Sequence, residues 1–287
     1  MINRLAIIGL GLIGGSCARA LRDVGYVREI VGYSRSLGTV QDAVRLGVID
    51  RGAVSVVDAV READITMVAV PVGAMLDIFA QLAANFPAHA VVTDVGSVKG
   101  SIIAGARPVL GAKFRRFVPG HPLSGTEDSG LMASVGDLFR GRRTVLTPEP
   151  ETDASAVEQV RALWHAAGAE VVTMTAAVHD EILAASSHLP HLLAYALVDM
   201  YVRMDNHRAI FENSAGGFRD FTRIASSDPG LWRDICFANR EAILSLLRQF
   251  QGDMNELIRV LEAGDEQILF ETFARAKRVR DALIKKD

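Results

Sequence analysis

Short apolar runs alternate with amphipathic segments through the first half of the chain. Runs at 5–8, 29–33, 65–70 and 90–94 each have the length of one strand, and helical spacing follows the first three. Mostly apolar strands that alternate with helices are typical of a parallel sheet covered on both faces. The pattern predicts an α/β domain, and we expect 144–147 and 170–174 to extend its sheet.

From about residue 175 the strand pattern gives way to long helical periodicity. Asp228 and Pro229 have the residue types of an N-cap and a first helical turn. The predicted helices cover about 175–204, 228–251, 253–263 and 265–284. We therefore predict two domains, an α/β domain over 1–174 and an all-helical domain over 175–287. Because such helices must bury an apolar stripe, we expect the second domain to form a homodimer.

A glycine-rich turn separates the first strand from the first helix and has the spacing GxGxxG at 9–14. In this context the glycines allow a tight turn and a close approach to a diphosphate, which the helix N-terminus attracts. The turn predicts a Rossmann-type domain that binds a dinucleotide. The predicted cofactor contacts are Gly9, Gly11, Leu12, Ile13 and Gly14, with Val70 and Pro71 after the third strand.

The end of the second strand bears on the choice of cofactor. NAD-binding domains usually carry an acid here for the ribose 2′-hydroxyl, but none lies between Val31 and Gln41. Ser34, Arg35 and Ser36 stand there instead, and an arginine between two hydroxyls suits a 2′-phosphate. The alternative is that these three residues form a solvated turn with no role in cofactor binding. We expect NADP in preference to NAD.

Composition narrows the class of protein. The 287 residues carry a net charge of −3, which gives no electrostatic case for nucleic acid or an anionic membrane. No apolar run reaches the ~20 residues needed to span a bilayer. The stretch before Cys17 has some features of a signal peptide, but a strand, turn and helix explain it better. Cys17 and Cys236, far apart, favour a reduced cytoplasmic protein.

Two segments carry candidate catalytic groups. His121 stands between Gly120 and Pro122, so we expect a stiff, irregular loop that presents the imidazole as a general base. Ser97 follows the fourth strand and should face the ligand crevice. The alternative for this second segment is structural, with a capping serine and Lys99 on the surface.

Further candidates lie in the helical half. His188 and His191 are three residues apart on one predicted helix face, and Pro190 should kink that helix. No acid or cysteine cluster completes a metal ligand set, so we predict no metal. Arg219 and Arg223 follow a glycine pair and form a candidate carboxylate clamp.

Together these motifs resemble the prephenate/arogenate dehydrogenase family of tyrosine biosynthesis, over nearly the whole chain. The four most specific are DVGSVKG at 94–100, PGHPLSGTEDSG at 119–130, SHLPH at 187–191 and GGFRDFTRIASSDPGLWRD at 216–234. The resemblance implies NAD(P)-dependent oxidative decarboxylation of prephenate, arogenate or both. It also implies a Rossmann domain, a helical dimerisation domain and an active site between them.

The resemblance also implies roles for particular residues. His121 takes the proton of the substrate's 4-hydroxyl, and Ser97 is the second group bonded to it. Arg223 grips a carboxylate, His191 contacts the side chain of the substrate, and Arg219 stands near the entrance. Ser124 and Glu127 are further expected contacts, Glu127 as a gating acid, and Trp232 is expected to reach in from the partner subunit.

Two other classes of protein fit parts of the sequence. A β-hydroxyacid dehydrogenase would need a lysine and an asparagine in 175–204, which contains neither. A non-catalytic dinucleotide sensor would leave His121, His191 and Arg223 without a purpose. The choice between prephenate and arogenate stays open, and so does inhibition by tyrosine. Because we expect no appended regulatory domain, such inhibition should act at the active site.

Overall fold

The computed structural model describes residues 1–126 and 128–283. It divides into two compact units, of which the first is Met1–Arg240 and the second begins at Glu241. The domain boundary predicted at 174/175 lies within the first unit and stays a prediction.

A six-stranded parallel sheet forms the centre of the first unit, in the order β3-β2-β1-β4-β5-β6. Its strands are β1 (Ile2–Ile8), β2 (Val27–Tyr33), β3 (Arg51–Gly52), β4 (Ile65–Val68), β5 (Val91–Asp94) and β6 (Phe117–Val118). The chain reverses its direction of travel across the sheet between β1 and β4. Ligands of such sheets bind at this switch point, beyond the carboxyl ends of the strands.

Helices cover both faces of this sheet, as the apolar strands predict. They are α1 (Leu12–Asp23), α2 (Leu37–Arg45), α3 (Val56–Val60), α4 (Val72–Ala83), α5 (Gly100–Leu110) and α6 (Ala154–Ala166). Successive residues of β1 alternate between two buried clusters. Leu5 and Ile7 belong to the cluster with α1, α2 and α6, whereas Ala6 and Ile8 belong to the one with α3, α4 and α5. The predicted Rossmann-type fold is confirmed.

The expectation that 144–147 and 170–174 extend this sheet is wrong. They form a second sheet with residues 120–122, in which β7 (Gly120–Pro122) runs antiparallel to β8 (Arg143–Leu146) and β8 runs parallel to β9 (Glu170–Thr173). The chain changes sheets at Pro119, because proline has no N–H to continue the ladder of β6. His121 therefore lies in an edge strand opposite Val145, and not in the irregular loop expected for it.

Helices make up the rest of the first unit. They are α7 (Ala176–Leu183), a π-helical turn (Ala184–His188), α8 (Leu189–Val202), α9 (His207–Glu212), α10 (Gly216–Thr222) and α11 (Pro229–Ala238). Asp228 caps α11 as predicted, since its side chain accepts from the N–H of Leu231 at 2.7 Å. The irregularity expected at Pro190 lies just before it, where the N–H of Leu189 bonds to the carbonyl of Ala184, five residues back.

The second unit holds most of α12 (Arg240–Ala263) and α13 (Glu266–Leu283). The predicted helix 228–251 is in fact two helices, because α11 ends at Ala238 and Asn239 leaves helical geometry. The break predicted near 252 is absent, whereas the break predicted between 263 and 265 is confirmed, because α12 ends at Ala263 and Gly264 has φ +65°. Several large apolar residues of α12 and α13 are exposed, namely Ile258, Leu261, Ile268, Phe270, Phe273, Val279 and Leu283. Within the described residues, no helix is both long enough and apolar enough to cross a membrane.

Candidate active site

The glycine turn after β1 has little room for side chains. Gly9 has φ +107°, and a Cβ there would lie 2.2 Å from the carbonyl oxygen of Ala69. A Cβ on Gly14 would lie 2.1 Å from the carbonyl oxygen of Gly9, whereas one on Gly11 would meet nothing within 4 Å. Packing thus requires glycine at 9 and 14, while Gly11 faces open space.

This geometry fits the diphosphate of a dinucleotide. The N-cap of α1 is Gly11, so no side chain caps the helix, and its first turn carries no acid. The N–H groups and the positive end of the helix dipole are therefore available to an anion. Leu12 and Ile13, in the first turn of α1, are half-buried at this position.

The other predicted cofactor residues lie at the same edge of the sheet. The N–H of Gly9 bonds to the carbonyl of Tyr33 at 2.8 Å, which brings the ends of β1 and β2 together. Arg35 is exposed just beyond β2, while Ser36 accepts from the N–H of Thr39 and caps α2. Val70 and Pro71 follow β4, and Pro71 is the N-cap of α4.

A buried ion pair joins the end of β5 to the strand of His121. Lys99 and Asp94 are both fully buried and bond to each other. The Lys99 ammonium also donates to the carbonyl of Gly120 at 2.6 Å, and Asp94 accepts from the N–H of Gly120 at 3.1 Å. The surface position considered for Lys99 is therefore wrong, because both partners of the lysine lie in the interior. Ser97 is half-buried on the loop between these two residues.

His121 belongs to a chain of hydrogen bonds that the sequence did not indicate. Its Nδ1 lies 2.9 Å from Nε2 of His179, and Nδ1 of His179 lies 2.7 Å from Oδ1 of Asp180. The Asp180 carboxylate also accepts from the N–H groups of Lys99 and Gly100, both at 2.8 Å, at the start of α5. The carboxylate thus links α7 to the N-terminus of α5, and His179 links it in turn to β7.

A second branch leaves from the backbone of Asp180. The side-chain NH₂ of Asn239 donates to the carbonyl of Asp180 at 2.8 Å and lies 3.1 Å from Nδ1 of His188. His188 is 1% exposed, and its Nε2 is a buried atom for which the described residues provide no hydrogen-bond partner. We call His121, His179, Asp180, Asn239 and His188 the histidine network.

Burial sets the protonation of this network. Removal from water lowers the pKa of His121 well below its usual 6.5, and the neighbouring His179, Lys99 and His188 add to the fall. Burial likewise lowers the pKa of His188 to about 4, although the charge of Asp180 and the backbone of Ser97 oppose this. Burial works to raise the pKa of Asp180, but bonds from His179, Lys99 and Gly100 outweigh it and lower that pKa. At neutral pH these shifts leave the imidazoles of His121 and His188 neutral and Asp180 a carboxylate.

The predicted carboxylate-binding residues continue from His188. The indole of Trp232 lies edge-on to His188, with ring centroids 6.3 Å apart, and stacks on His191 of the same chain at 3.5 Å. Burial and the nearby charge of Arg223 lower the pKa of His191, opposed by a bond to the carbonyl of Ser187. A continuous series of contacts therefore runs from His121 to His191, whose ring is under the influence of the Arg223 charge.

The remaining predicted site residues have different surroundings. Arg219 is exposed on α10, one turn before Arg223. Ser124 is half-buried, and its hydroxyl oxygen is a buried atom that the described residues leave without a hydrogen-bond partner. Glu127, expected to be a gating acid, lies outside the described residues. Trp232 contacts His191 of its own chain, whereas the resemblance implied a position in the partner's site.

Sequence reasoning missed His179, Asp180 and Asn239. An available signal was the pair His179-Asp180, an imidazole next to a carboxylate at the start of the helical half. Nothing in the sequence connects that pair to His121, because 58 positions separate the two histidines.

Comparison with known proteins agrees with this geometry. The profile described as prephenate dehydrogenase, nucleotide-binding domain, matches residues 17–173, and that of the prephenate dehydrogenase dimerization domain matches residues 175–275. The cyclohexadienyl dehydrogenase of Zymomonas mobilis is 37% identical over 99% of this chain and 97% of its own. The prephenate dehydrogenase of Bacillus subtilis is 37% identical over 99% of this chain and 76% of its own.

Two solved structures extend the comparison to the fold. Prephenate dehydrogenase from Aquifex aeolicus, in complex with hydroxyphenyl propionate and NAD+, is 36% identical with a TM-score of 0.91, and 98% of each chain is covered. Synechocystis arogenate dehydrogenase is 27% identical with a TM-score of 0.82, over 98% of this chain and all of its own.

The nucleotide-binding fold and these matches define the class of protein as an oxidoreductase that uses NAD or NADP. More narrowly, the chain belongs to the prephenate dehydrogenase family.

Proposed function

We propose that the protein catalyses the NAD(P)-dependent oxidative decarboxylation of prephenate, of arogenate, or of both, in tyrosine biosynthesis. The observation that carries this proposal is His121, a buried neutral imidazole whose contacts lead through the histidine network to Trp232 and His191, the ring on which the charge of Arg223 acts. A base near a carboxylate-binding region is what a hydroxylated, carboxylated ring requires. Relatives named for this chemistry match over almost the full chain.

The proposed reaction requires no covalent bond between the protein and its substrate. His121 takes the proton of the 4-hydroxyl, with Ser97 as the second group bonded to that oxygen. Hydride leaves the same carbon, the opposite carbon loses CO2, and the electron pair of the broken bond completes the aromatic ring. The proton then returns to the oxygen of the phenol. The bound nicotinamide supplies the hydride acceptor, so the protein contributes position and one proton transfer.

Substrate binding falls to the residues beyond the histidine network. We assign a carboxylate to Arg223 and the substrate side chain to His191, because the charge of Arg223 already acts on the His191 ring. Arg219 adds positive charge at the entrance. Ser124 offers a buried hydroxyl for which the described part of the chain provides no hydrogen-bond partner, and we assign Glu127 and Trp232 as further contacts.

A spectrophotometric assay at 340 nm tests the function directly. We expect dinucleotide reduction with at least one of prephenate and arogenate, and none with β-hydroxyacids. Faster reduction with a β-hydroxyacid than with prephenate or arogenate, or no turnover of either of these two substrates, would contradict the proposal.

The assignment of Arg223 has a separate test. Arg223→Ala should raise the KM for substrate about 10- to 100-fold, because a charged hydrogen bond to a carboxylate is lost. Arg203→Ala, an exposed arginine on the same helical part of the chain, is the matched control and should leave KM unchanged. An unchanged KM in Arg223→Ala would contradict the role.

We propose NADP as the preferred cofactor, on the basis of Ser34, Arg35 and Ser36 beyond β2. The exposure of Arg35 at this end of the strand supports its assignment to a 2′-phosphate. Arg35→Ala should lower kcat/KM about tenfold with NADP and little with NAD, since it removes one charged contact. Arg45→Ala, further along α2 and paired with Asp42, is the control. A wild-type preference for NAD would contradict this assignment.

We further propose that the protein is a cytoplasmic homodimer with a domain boundary at 174/175. The exposed apolar residues on α13, and the match to a dimerization domain, support the dimer. Sedimentation of Phe273→Glu should show a monomer, because a charge replaces an exposed apolar ring. Lys277→Glu, on the same helix, is the control and should remain dimeric. A monomeric wild-type protein would contradict the proposed dimer.

A further inference from the structure

The hydrogen bonds of His179 determine where the protons of the histidine network lie. A carboxylate can only accept hydrogen bonds, and the Asp180 carboxylate receives two backbone N–H groups besides His179. Nδ1 of His179, 2.7 Å from that carboxylate, must therefore carry a proton. In a neutral imidazole the other nitrogen then bears a lone pair, so Nε2 of His179 is an acceptor.

The same reasoning extends to His121. Its Nδ1 lies 2.9 Å from the lone pair of His179 Nε2, so this bond exists only if Nδ1 of His121 carries the proton. The opposite tautomer of His121 would set two lone pairs against each other. It follows that Nε2 of His121 holds the lone pair that a general base needs.

The second branch fixes the Asp180 backbone. The two N–H bonds of the Asn239 side chain point to the carbonyl of Asp180 and to Nδ1 of His188, which both accept. Asn239 thus holds the backbone of Asp180, while the N-terminus of α5 holds its carboxylate. Asp180, whose carboxylate orients His179, is therefore held by hydrogen bonds to both its side chain and its backbone.

We propose that His179, anchored by Asp180, is the positioning residue that keeps the His121 proton on Nδ1 and leaves Nε2 as the base. The proposal rests on the function proposed above. When the hydroxyl proton moves to Nε2, His121 becomes a cation whose Nδ1–H still donates to His179. The carboxylate of Asp180 stabilises that charge until the proton returns to the phenol oxygen. His179 itself touches neither substrate nor cofactor in this scheme.

Two substitutions at His179 separate orientation from packing. Gln offers an amide oxygen that can accept from Nδ1 of His121, whereas Leu has similar bulk and no acceptor. His179→Leu should lower kcat about 100-fold with the KM values for substrate and cofactor unchanged, because an unpaired buried group and a mixed tautomer result. His179→Gln should lose less than about tenfold in kcat. Equal losses in the two variants, or a Leu variant with wild-type kcat, would overturn the proposal.

A measurement that does not depend on turnover completes the test. Nitrogen-15 NMR of histidine-labelled protein should show His121 protonated at Nδ1 and bare at Nε2 in the wild type and in His179→Gln. His179→Leu should lose this signature, and the His121→Asn spectrum identifies the resonances. If His121 of the wild type is protonated at Nε2, the inference fails even when the enzyme is active. If the signature is present and neither substrate reacts, the proposed function fails and the inference stands. Should His179→Leu not fold, the wild-type spectrum still decides.

Discussion

The predicted diphosphate site at 9–14 depends on three glycines, which have no side chain. It consists of backbone groups from six consecutive positions. Around His121 every important group is a side chain or is held by one, and the contributing residues come from β5, β7, α7 and the α11–α12 junction. The glycine turn is sensitive to the addition of a side chain, because a Cβ at Gly9 or Gly14 would collide with backbone atoms. The surroundings of His121 are sensitive to the removal of a side chain, because a buried polar group then loses its hydrogen-bond partner. Substitutions of both kinds can test this contrast.

The largest expected effect is at the base itself. His121→Asn should lower kcat about 10²- to 10⁴-fold, the usual contribution of a general base, and leave the KM for substrate within a few-fold. Steady-state kinetics at saturating cofactor would measure both. A variant with more than a tenth of the wild-type kcat would show that another group takes the proton.

Removal of one member of the buried ion pair should destabilise the fold. Lys99→Met leaves the Asp94 carboxylate buried without its partner, and we expect a loss of about 3–5 kcal/mol in the free energy of unfolding, measured by urea titration. Arg45→Met, which breaks the exposed pair with Asp42, is the control and should cost less than about 1 kcal/mol. Similar losses in both would mean that the burial of Lys99 has no energetic consequence.

Acid should weaken the histidine network but not the glycine turn. His188 has a pKa of about 4 in the folded protein and an ordinary value of 6.5, so the unfolded chain binds its proton first as the pH falls. Stability is therefore full above pH 6.5 and decreases by about 3 kcal/mol between pH 6.5 and 4 from this group alone. Burial of His121 acts in the same direction. In urea titrations across this range, His188→Gln should show a shallower slope and Gly11→Ala the wild-type slope.

The smallest effects distinguish the glycines from one another. Gly14→Ala should cost about 1–3 kcal/mol of stability, because its Cβ would lie 2.1 Å from the carbonyl oxygen of Gly9. Gly11→Ala should keep its stability, since its Cβ meets nothing within 4 Å, but bind the dinucleotide more weakly by occupying the approach to the diphosphate. Urea titration and cofactor titration separate the two. Equal stability of both variants would show that the turn can relax.

The same contrast explains how much the sequence could predict. The strand–turn–helix pattern identified the Rossmann-type domain, because its signals are local and periodic. It did not predict the second sheet, since the change of partners at Pro119 depends on which strand is available in space. Lys99 was considered for the surface because lysine is seldom fully buried, and only the positions of Asp94 and Gly120 reverse that expectation.

The π-helical turn at Ala184–His188 has a consequence for the length of the chain. A regular α-helix advances by about 100° per residue, so loss of one residue here would rotate the following segment by that angle relative to α7. The shortened helix would have better hydrogen-bond geometry, since π-turns are the less favourable form. His179 and His188 would then no longer both face the residues that they contact. Evolution should therefore tolerate changes of residue type in this segment more readily than insertions or deletions, and a more stable helix would come with a disassembled site.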